Sequence, residues 1–546
     1  MNLLMYRKQI LFSVAASMLL AITSTSAFGE SASFKSAAQN LSAKKYSEKQ
    51  SALEKLVNSY PKKSTSILEA VLDSRLYYVR ATKEIVFIEK SAEGYILFDI
   101  ETEKTVATAP KSKIKKITLN NKLRRYVKNK LAELTLHHKN PKKRLQAAKA
   151  LLKNITPERK TMLEDALNSE NESNIQKVLK TGIAMAELDH PDIEKQIQAA
   201  SFLSGTLQRN AQTLLVKKLD SLGDVETENQ KTLKSTLENT LQKTNRNVFI
   251  NQQVENALFG LSLGSVLFLA AVGLAITFGV MGVINLAHGE MIMLGAYTTY
   301  VVQLLMPNYI DLSIIVAIPA AFIVAGLFGI VIERTIIRYL YGRPLDTLLA
   351  TFGLSLILQQ LVRSVFSPLN RAVATPSWMS GSLSINPSLS VTYNRIYIII
   401  FSVIVLVVLF LLLKKTVYGL HMRAVTQDRN MAKAMGIKSN WIDALTFGLG
   451  SGIAGMAGVA LSQLTNVGPN MGQTYIVDSF MVVVFGGVGN LFGTFLGGLT
   501  LGVANKFLEP AFGAVLAKIL ILVFIILFIQ KRPRGMFALK GRAAED

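Results

Sequence analysis

Residues 256–289 read NALFGLSLGSVLFLAAVGLAITFGVMGVINLAHG, a run without one Asp, Glu, Lys or Arg. A second such run covers 444–477. At 1.5 Å per helical residue, apolar stretches of this length outreach a hydrocarbon layer of about 30 Å, so the fold class is mainly α, a polytopic α-helical membrane protein. Candidate spans fall at 257–280, 283–306, 312–333, 345–366, 395–413, 443–465, 479–507 and 511–530.

Upstream the composition changes. Residues 28–250 carry 39 Lys and Arg against 26 Asp and Glu, whereas 251–546 carry 19 and 11. The first stretch predicts a water-exposed domain and the second a transmembrane one. At the N-terminus Arg7 and Lys8 precede an apolar run from Ile10 to Ile22 and small residues from Thr23 to Ala27. That order predicts a signal peptide over 1–27, with an uncleaved anchor as the alternative. Residues 28–250 are then expected outside the cytoplasm, in the periplasm of a didermic bacterium.

Within that domain, helical spacing of Leu53, Leu56, Val57, Ile67, Leu68, Val71 and Leu72 predicts helices over 33–74. Short β-branched and aromatic runs with a turn at Ala92-Glu93-Gly94 predict a β segment near 76–119, a hairpin or meander. Helices return from Asn121. Asn140-Pro141 and His190-Pro191 each precede an Ala-Ala pair, with prolines 50 residues apart, which suits either a HEAT-like array or an irregular bundle.

Three basic clusters are expected on the cytoplasmic side: Arg334, Arg338 and Arg343; Lys414 to Lys438; and the tail from Lys531 to Arg542. An exported N-terminal domain with a cytoplasmic C-terminus requires an odd number of crossings, and eight spans are too even. The stretch 479–507 is the one to revise, because Gly486-Gly487-Val488-Gly489-Asn490 at its centre suits a broken or re-entrant helix, or close packing through glycine.

The sequence has no cysteine, which excludes thiolate catalysis, cysteine-ligated metals and disulfides. No Gly-x-x-x-x-Gly-Lys-Ser/Thr occurs, so any ATP drive must come from a partner. His137, His138 and His190 lack metal-ligand spacing and are read as surface histidines. The net charge of +23 is spread among alternating signs without stacking aromatics, which argues against nucleic acid. Nothing implies a cofactor, a metal or an enzyme.

The segment Gly282 to Glu290 places an amide, an imidazole and a carboxylate in apolar surroundings, where such groups are unfavourable unless they pair or line a cavity. Asn285-Leu286-Ala287-His288-Gly289-Glu290 after a glycine-containing span resembles the permeases of the branched-chain amino acid ABC importers, over about 255–540. Tyr341-Gly342-Arg343-Pro344-Leu345, Leu356 to Gln360, Val467-Gly468-Pro469-Asn470, Tyr475 to Phe480 and Phe528 to Gly535 resemble the urea-type branch of that family. Leu123-Arg124-Arg125 and Asn140-Pro141 in the exported stretch resemble the same branch.

The resemblance implies a bacterial inner-membrane permease, residues 251–546, importing urea or a related small amide. Its implied partners are a second permease subunit, two cytoplasmic ATPase subunits and a periplasmic substrate-binding protein. Other readings are a branched-chain amino acid or short-amide permease, a secondary transporter using His288 and Glu290, and a membrane-anchored sensor or scaffold. Candidate path residues are Thr277, Asn285, His288, Glu290, Ser355, Gln359, Gln463, Asn466 and Asp478. Ser462 is a further polar candidate. Hydrogen bonding between helices is the competing role for each. Lys518 is expected to snorkel outward or pair with Glu509 or Asp478.

The cytoplasmic loop 414–442 contains Ala424, Asp428, Ala432 and Gly436 at four-residue spacing, expected along one helical face. With Arg423, Arg429 and Lys433 adding charge, the loop resembles the coupling helix of ABC permeases, and Gly436 is expected to end that helix.

Overall fold

A computed structural model describes residues 33–537, apart from 92, 93, 154 and 224–226. The expected signal peptide and the last nine residues lie outside the described residues. The chain divides between Arg246 and Asn247 into two compact units.

In the first unit, helices α1 (Tyr46–Ser59) and α2 (Pro61–Leu72) pack one apolar face onto an antiparallel sheet. Leu53, Leu56, Ile67 and Leu68 meet Leu76, Phe87, Ile100 and Ile117 there. The strands are β1 (Leu76–Val79), β2 (Ile85–Ser91), β3 (Gly94–Asp99), β4 (Thr105–Ala109) and β5 (Ile114–Lys116), in the order β4-β3-β2-β1-β5. Four consecutive strands form the meander, and β5 returns to pair with β1. At the end of β3, the Asp99 carboxylate receives Lys35 Nζ at 2.5 Å and the Glu101 and Thr102 backbone N–H groups at 3.0 and 2.9 Å. Burial pushes its pKa up, but the Lys35 hydrogen bond and charge with the two backbone N–H bonds outweigh this and hold it at about 2.

The helices that follow repeat at 52 residues, not 50. Helices α3 (Asn121–Thr135), α4 (Pro141–Leu151) and α5 (Pro157–Ser169) correspond to α6 (Ser173–Glu187), α7 (Ile193–Phe202) and α8 (Arg209–Ser221). The same buried positions recur: Leu123 and Ile175, Val127 and Leu179, Ala148 and Ala200, Leu163 and Leu215. His138 and His190 are equivalent, and in each Nδ1 accepts the backbone N–H two residues on, from Asn140 at 2.9 Å and Asp192 at 3.0 Å. Asn140 and Asp192 then cap α4 and α7 through the N–H groups of Lys142 and Glu194. Each repeat therefore holds three helices rather than a two-helix hairpin. Pro191 lies ahead of its cap, whereas Pro141 opens its helix, which accounts for the two-residue discrepancy.

Helix α9 (Glu228–Met281) leads into the second unit, followed by α10 (His288–Leu305), α11 (Ile310–Thr335), α12 (Pro344–Phe366), a hairpin of β6 (Ser382–Asn386) and β7 (Leu389–Thr392), and α13 (Tyr393–Lys415). Then come α14 (Val417–Gln427), α15 (Arg429–Ala434), α16 (Ser439–Ser462), α17 (Met471–Gly486) and α18 (Leu491–Lys531). Six of these helices are long and apolar enough to cross a membrane, and α17 is a shorter apolar helix. The chain is thus a mainly α, multi-pass membrane protein.

The span expected at 479–507 is two helices. Gly487 and Gly489 take φ of 103° and 77°, which ends α17 and turns the chain into α18. Across that turn a Cβ on Gly486 would overlap Gly493, so both expectations for this stretch, a break and close glycine packing, are met. Helix α18 is itself kinked at Gly513, φ 78°, three residues after Pro510. The expected span 479–507 is thus shared between α17 and the first part of α18.

Helices α10, α11 and α16 form the centre of the unit. Their backbones touch: a Cβ on Gly295 would overlap the Gly455 carbonyl, and one on Gly458 would overlap the Ile292 carbonyl.

Candidate functional site

Helix α9 ends at Met281, and Gly282, at φ 66°, reverses the chain. Residues 283–287 are not helical. Asn285 Oδ1 accepts the Ala287 N–H at 3.0 Å, and the Leu286 N–H donates to Thr351 Oγ1 at 3.2 Å, so the break's polar backbone is met by side chains. Asn285 is 2 % exposed and serves the turn.

The break delivers His288 deep along α9. Its Nε2 lies 2.9 Å from the Ala270 carbonyl. A carbonyl only accepts, so Nε2 carries the proton and Nδ1, which has no partner among the described residues, is bare. Ala270 precedes the end of α9 by eleven residues, or about 16 Å along the axis. α10 therefore starts well inside the span.

Two residues on, Glu290 is 1 % exposed. Its Oε1 accepts from Ser355 Oγ at 2.8 Å and Gln359 Nε2 at 2.7 Å, while Gln359 Nε2 also lies 3.2 Å from Ser355 Oγ. Its Oε2 has no hydrogen-bond partner among the described residues. Place in the first turn of α10 favours the negative charge through the helix dipole.

Thr351, Ser355, Gln359 and Arg363 recur every four residues on α12 and so form one stripe. Thr351 meets the break, Ser355 and Gln359 meet Glu290, and Arg363 Nη2 donates to Asn470 Oδ1 at 2.6 Å. Thr351, Arg363 and Asn470 were not among the expected path residues, although the four-residue spacing of polar groups through an apolar span was there to be seen.

The remaining candidates lie apart from this group. Thr277 Oγ1 turns back to the Gly273 and Leu274 carbonyls, its methyl facing Gly450. Gln463 Nε2 meets Ser462 Oγ at 3.3 Å, and Asn466 is exposed in the loop after α16. Asp478 pairs with Lys518 at 3.0 Å, whereas Glu509 takes Lys506 at 2.5 Å. Of the two partners expected for Lys518, Asp478 is the one it meets.

The loop 414–442 differs from expectation. Asp428 has extended backbone, φ −154°, and caps α15 by accepting the Asn430 and Met431 N–H groups at 2.9 Å. Ala424, Asp428, Ala432 and Gly436 therefore do not share one helical face. Ala432, 4 % exposed, and Ala424 pack into the chain's own core. Arg429 pairs with buried Asp443, and Arg423 donates to the Leu413 carbonyl. The large apolar side chains that α15 leaves open are Met431, 63 % exposed, and Met435 just beyond it, 78 % exposed. Gly436, at φ 84°, does end the helix, with the Ile437 N–H returning to the Ala432 carbonyl at 3.0 Å.

Residues 256–529 match the family model described as "Branched-chain amino acid transport system / permease component". The high-affinity branched-chain amino acid transport system permease protein BraD of Pseudomonas aeruginosa is 33 % identical over 295 residues, which are 52 % of this chain and 94 % of that protein. The corresponding LivH of Escherichia coli is 30 % identical over 299 residues, 53 % of this chain and 96 % of that protein. A probable LivH of Methanocaldococcus jannaschii is 26 % identical over 288 residues, 50 % and 88 %. No solved structure is significantly similar. With its whole apolar half matched, this chain belongs to the permease component family of the branched-chain amino acid transport systems, and is a transport subunit rather than an enzyme.

Proposed function

We propose that the chain is the permease subunit of an ATP-driven importer in a bacterial inner membrane, carrying urea or a related small amide. The observation that carries the substrate class is the buried Glu290 carboxylate, with Oε1 held by Ser355 and Gln359 and Oε2 free of partners among the described residues. A bare carboxylate oxygen accepts N–H donors, which the –NH2 groups of urea or a small amide supply, while the Ser355 hydroxyl and the Gln359 amide hold the other oxygen in place. Residues 1–27 act as the signal peptide and 28–250 as a periplasmic domain. Residues 251–546 form the permease, with its C-terminus in the cytoplasm. A second permease subunit, two ATPase subunits and a periplasmic binding protein complete the assembly. The ATPase meets the loop 414–442 through the exposed Met431 and Met435.

A branched-chain amino acid substrate is the second reading. It is favoured by the names of the relatives and by Arg363, one turn beyond Gln359, which would suit a substrate carboxylate.

Uptake of labelled urea at micromolar concentration, compared between cells with this chain and cells carrying Glu290→Gln, tests the proposal. The expected loss is about tenfold, the equivalent of about 1.4 kcal/mol of interaction. Unchanged urea uptake in the variant, or labelled leucine taken up in place of urea, contradicts the amide assignment.

A further inference from the structure

A second buried polar cluster lies apart from Glu290, where α11 ends and α16 begins. Asp443, 1 % exposed near the start of α16, forms a close ion pair with the Arg429 guanidinium through Oδ2. That guanidinium also lies 4.7 Å from the centre of the Tyr341 ring. The Tyr341 hydroxyl donates to Glu333 Oε1 at 3.0 Å, and Glu333, 1 % exposed, belongs to the last turns of α11. Next along the chain, the Arg334 guanidinium covers the Trp441 ring at 4.3 Å. One side chain, Arg429, thus reaches both α16 and, through Tyr341, α11.

Arg429 is the first residue of α15, the helix that carries exposed Met431. Among the described residues it makes the one ion pair between α15 and the long helices. Asp428 is spent on capping α15, and Ala432 contributes apolar contact. Asp443 cannot be left behind, because a charge buried without its partner is strongly unfavourable. The planar guanidinium, paired on one side and stacked on the other, fixes direction as well as distance.

Beyond the cluster the packing is tight. α11 and α16 touch through Gly326, Gly329, Gly448 and Gly452, and α16 touches α10 through Gly455 and Gly458. Interfaces of this kind, backbone on backbone, move as bodies rather than deform. α10 carries Glu290.

We propose that Arg429 is a positioning residue that transmits displacement of α15 to α16 and α11, and through them to the helix bearing Glu290. The proposal rests on reading 414–442 as the ATPase-docking loop. A purely structural ion pair would be replaceable by apolar groups of similar volume without functional loss. A transmitting one would not.

The test uses the full transporter in membrane vesicles, measuring ATP hydrolysed and labelled urea or leucine imported, whichever the wild type carries. The double variant Arg429→Met with Asp443→Leu removes both charges and leaves no buried orphan. We expect it to insert and to co-purify with the ATPases, with import per ATP falling at least about tenfold, whereas Arg429→Lys, which keeps charge but loses the planar stack, falls several-fold. Wild-type import per ATP in the double variant overturns the proposal. Should the double variant fail to insert, Tyr341→Leu gives the same readout: a several-fold fall supports transmission, and no change overturns it. Failure of the docking reading is distinct, since Met431→Asp with Met435→Asp would then leave ATPase co-purification undiminished.

Discussion

Glu290 and Asp99 are both carboxylates, yet their surroundings assign them different work. Asp99 is saturated: Lys35 and two backbone N–H groups hold it, and its pKa sits at about 2 instead of 3.8. Because the folded value is depressed, its contribution to stability is complete above the ordinary carboxylate range and is lost as pH falls through about 2. Hydrogen exchange in the full chain should therefore show β2 and β3 losing protection between about pH 4 and pH 2, and Asp99→Asn should remove that acid-dependent step. An unchanged profile in the variant contradicts the assignment. Glu290, by contrast, has one oxygen satisfied and one not. Buried polar atoms left without a partner are rare in folded proteins, and a site that binds a donor is one physical reason for keeping one. His288 is half-satisfied in another way, its N–H fixed on Ala270 so that the imidazole fastens α10 to α9. That fixed tautomer gives it a fastening role and leaves the secondary-transport reading without a His288–Glu290 hydrogen bond among the described contacts.

At the scale of elements, what was legible in the sequence was whatever a local pattern controls. The long apolar helices, the meander and the glycine that ends α15 all follow from hydrophobic period or from one residue's backbone freedom. Ser355 and Gln359 were legible as polar residues in an apolar span, and they do meet Glu290. What was not legible depended on a choice between local and tertiary partners. Asp428 sits at helical spacing with Ala424 and Ala432, but a side chain able to accept from the next residues' N–H groups favours a cap over a helix interior. The helix breaks there, and Ala432 turns inward. The 52-residue repeat was blurred because its marker is a histidine capping its own turn, while the more conspicuous prolines stand in unequal places. With the loop broken, the docking surface we propose rests on Met431 and Met435 in place of the small residues. Met431→Asp with Met435→Asp should leave the chain inserted while ATPase co-purification falls by about tenfold, since exposed apolar side chains anchor such contacts and carboxylates there would have to be desolvated. Undiminished co-purification places the docking surface elsewhere.

The whole molecule joins a repeat-containing first unit to a permease unit that belongs to a known family. The family match begins at residue 256, so the family assignment describes the second unit and leaves the first to its own evidence. The permease unit contains a buried carboxylate with a free oxygen, a polar stripe on α12 beside it, and glycine-packed helices connecting that region to the loop with the exposed methionines. Together they support one account: substrate is handled at Glu290 while the energy arrives from a partner at the other end of the same helices. The measurement that tests this most directly is import of labelled urea, with leucine in parallel, by cells carrying the complete transporter, under ATP depletion and separately under an uncoupler. The account predicts that import stops when ATP is depleted and persists when the proton gradient alone is collapsed. Import that persists without ATP and stops with the uncoupler would contradict it.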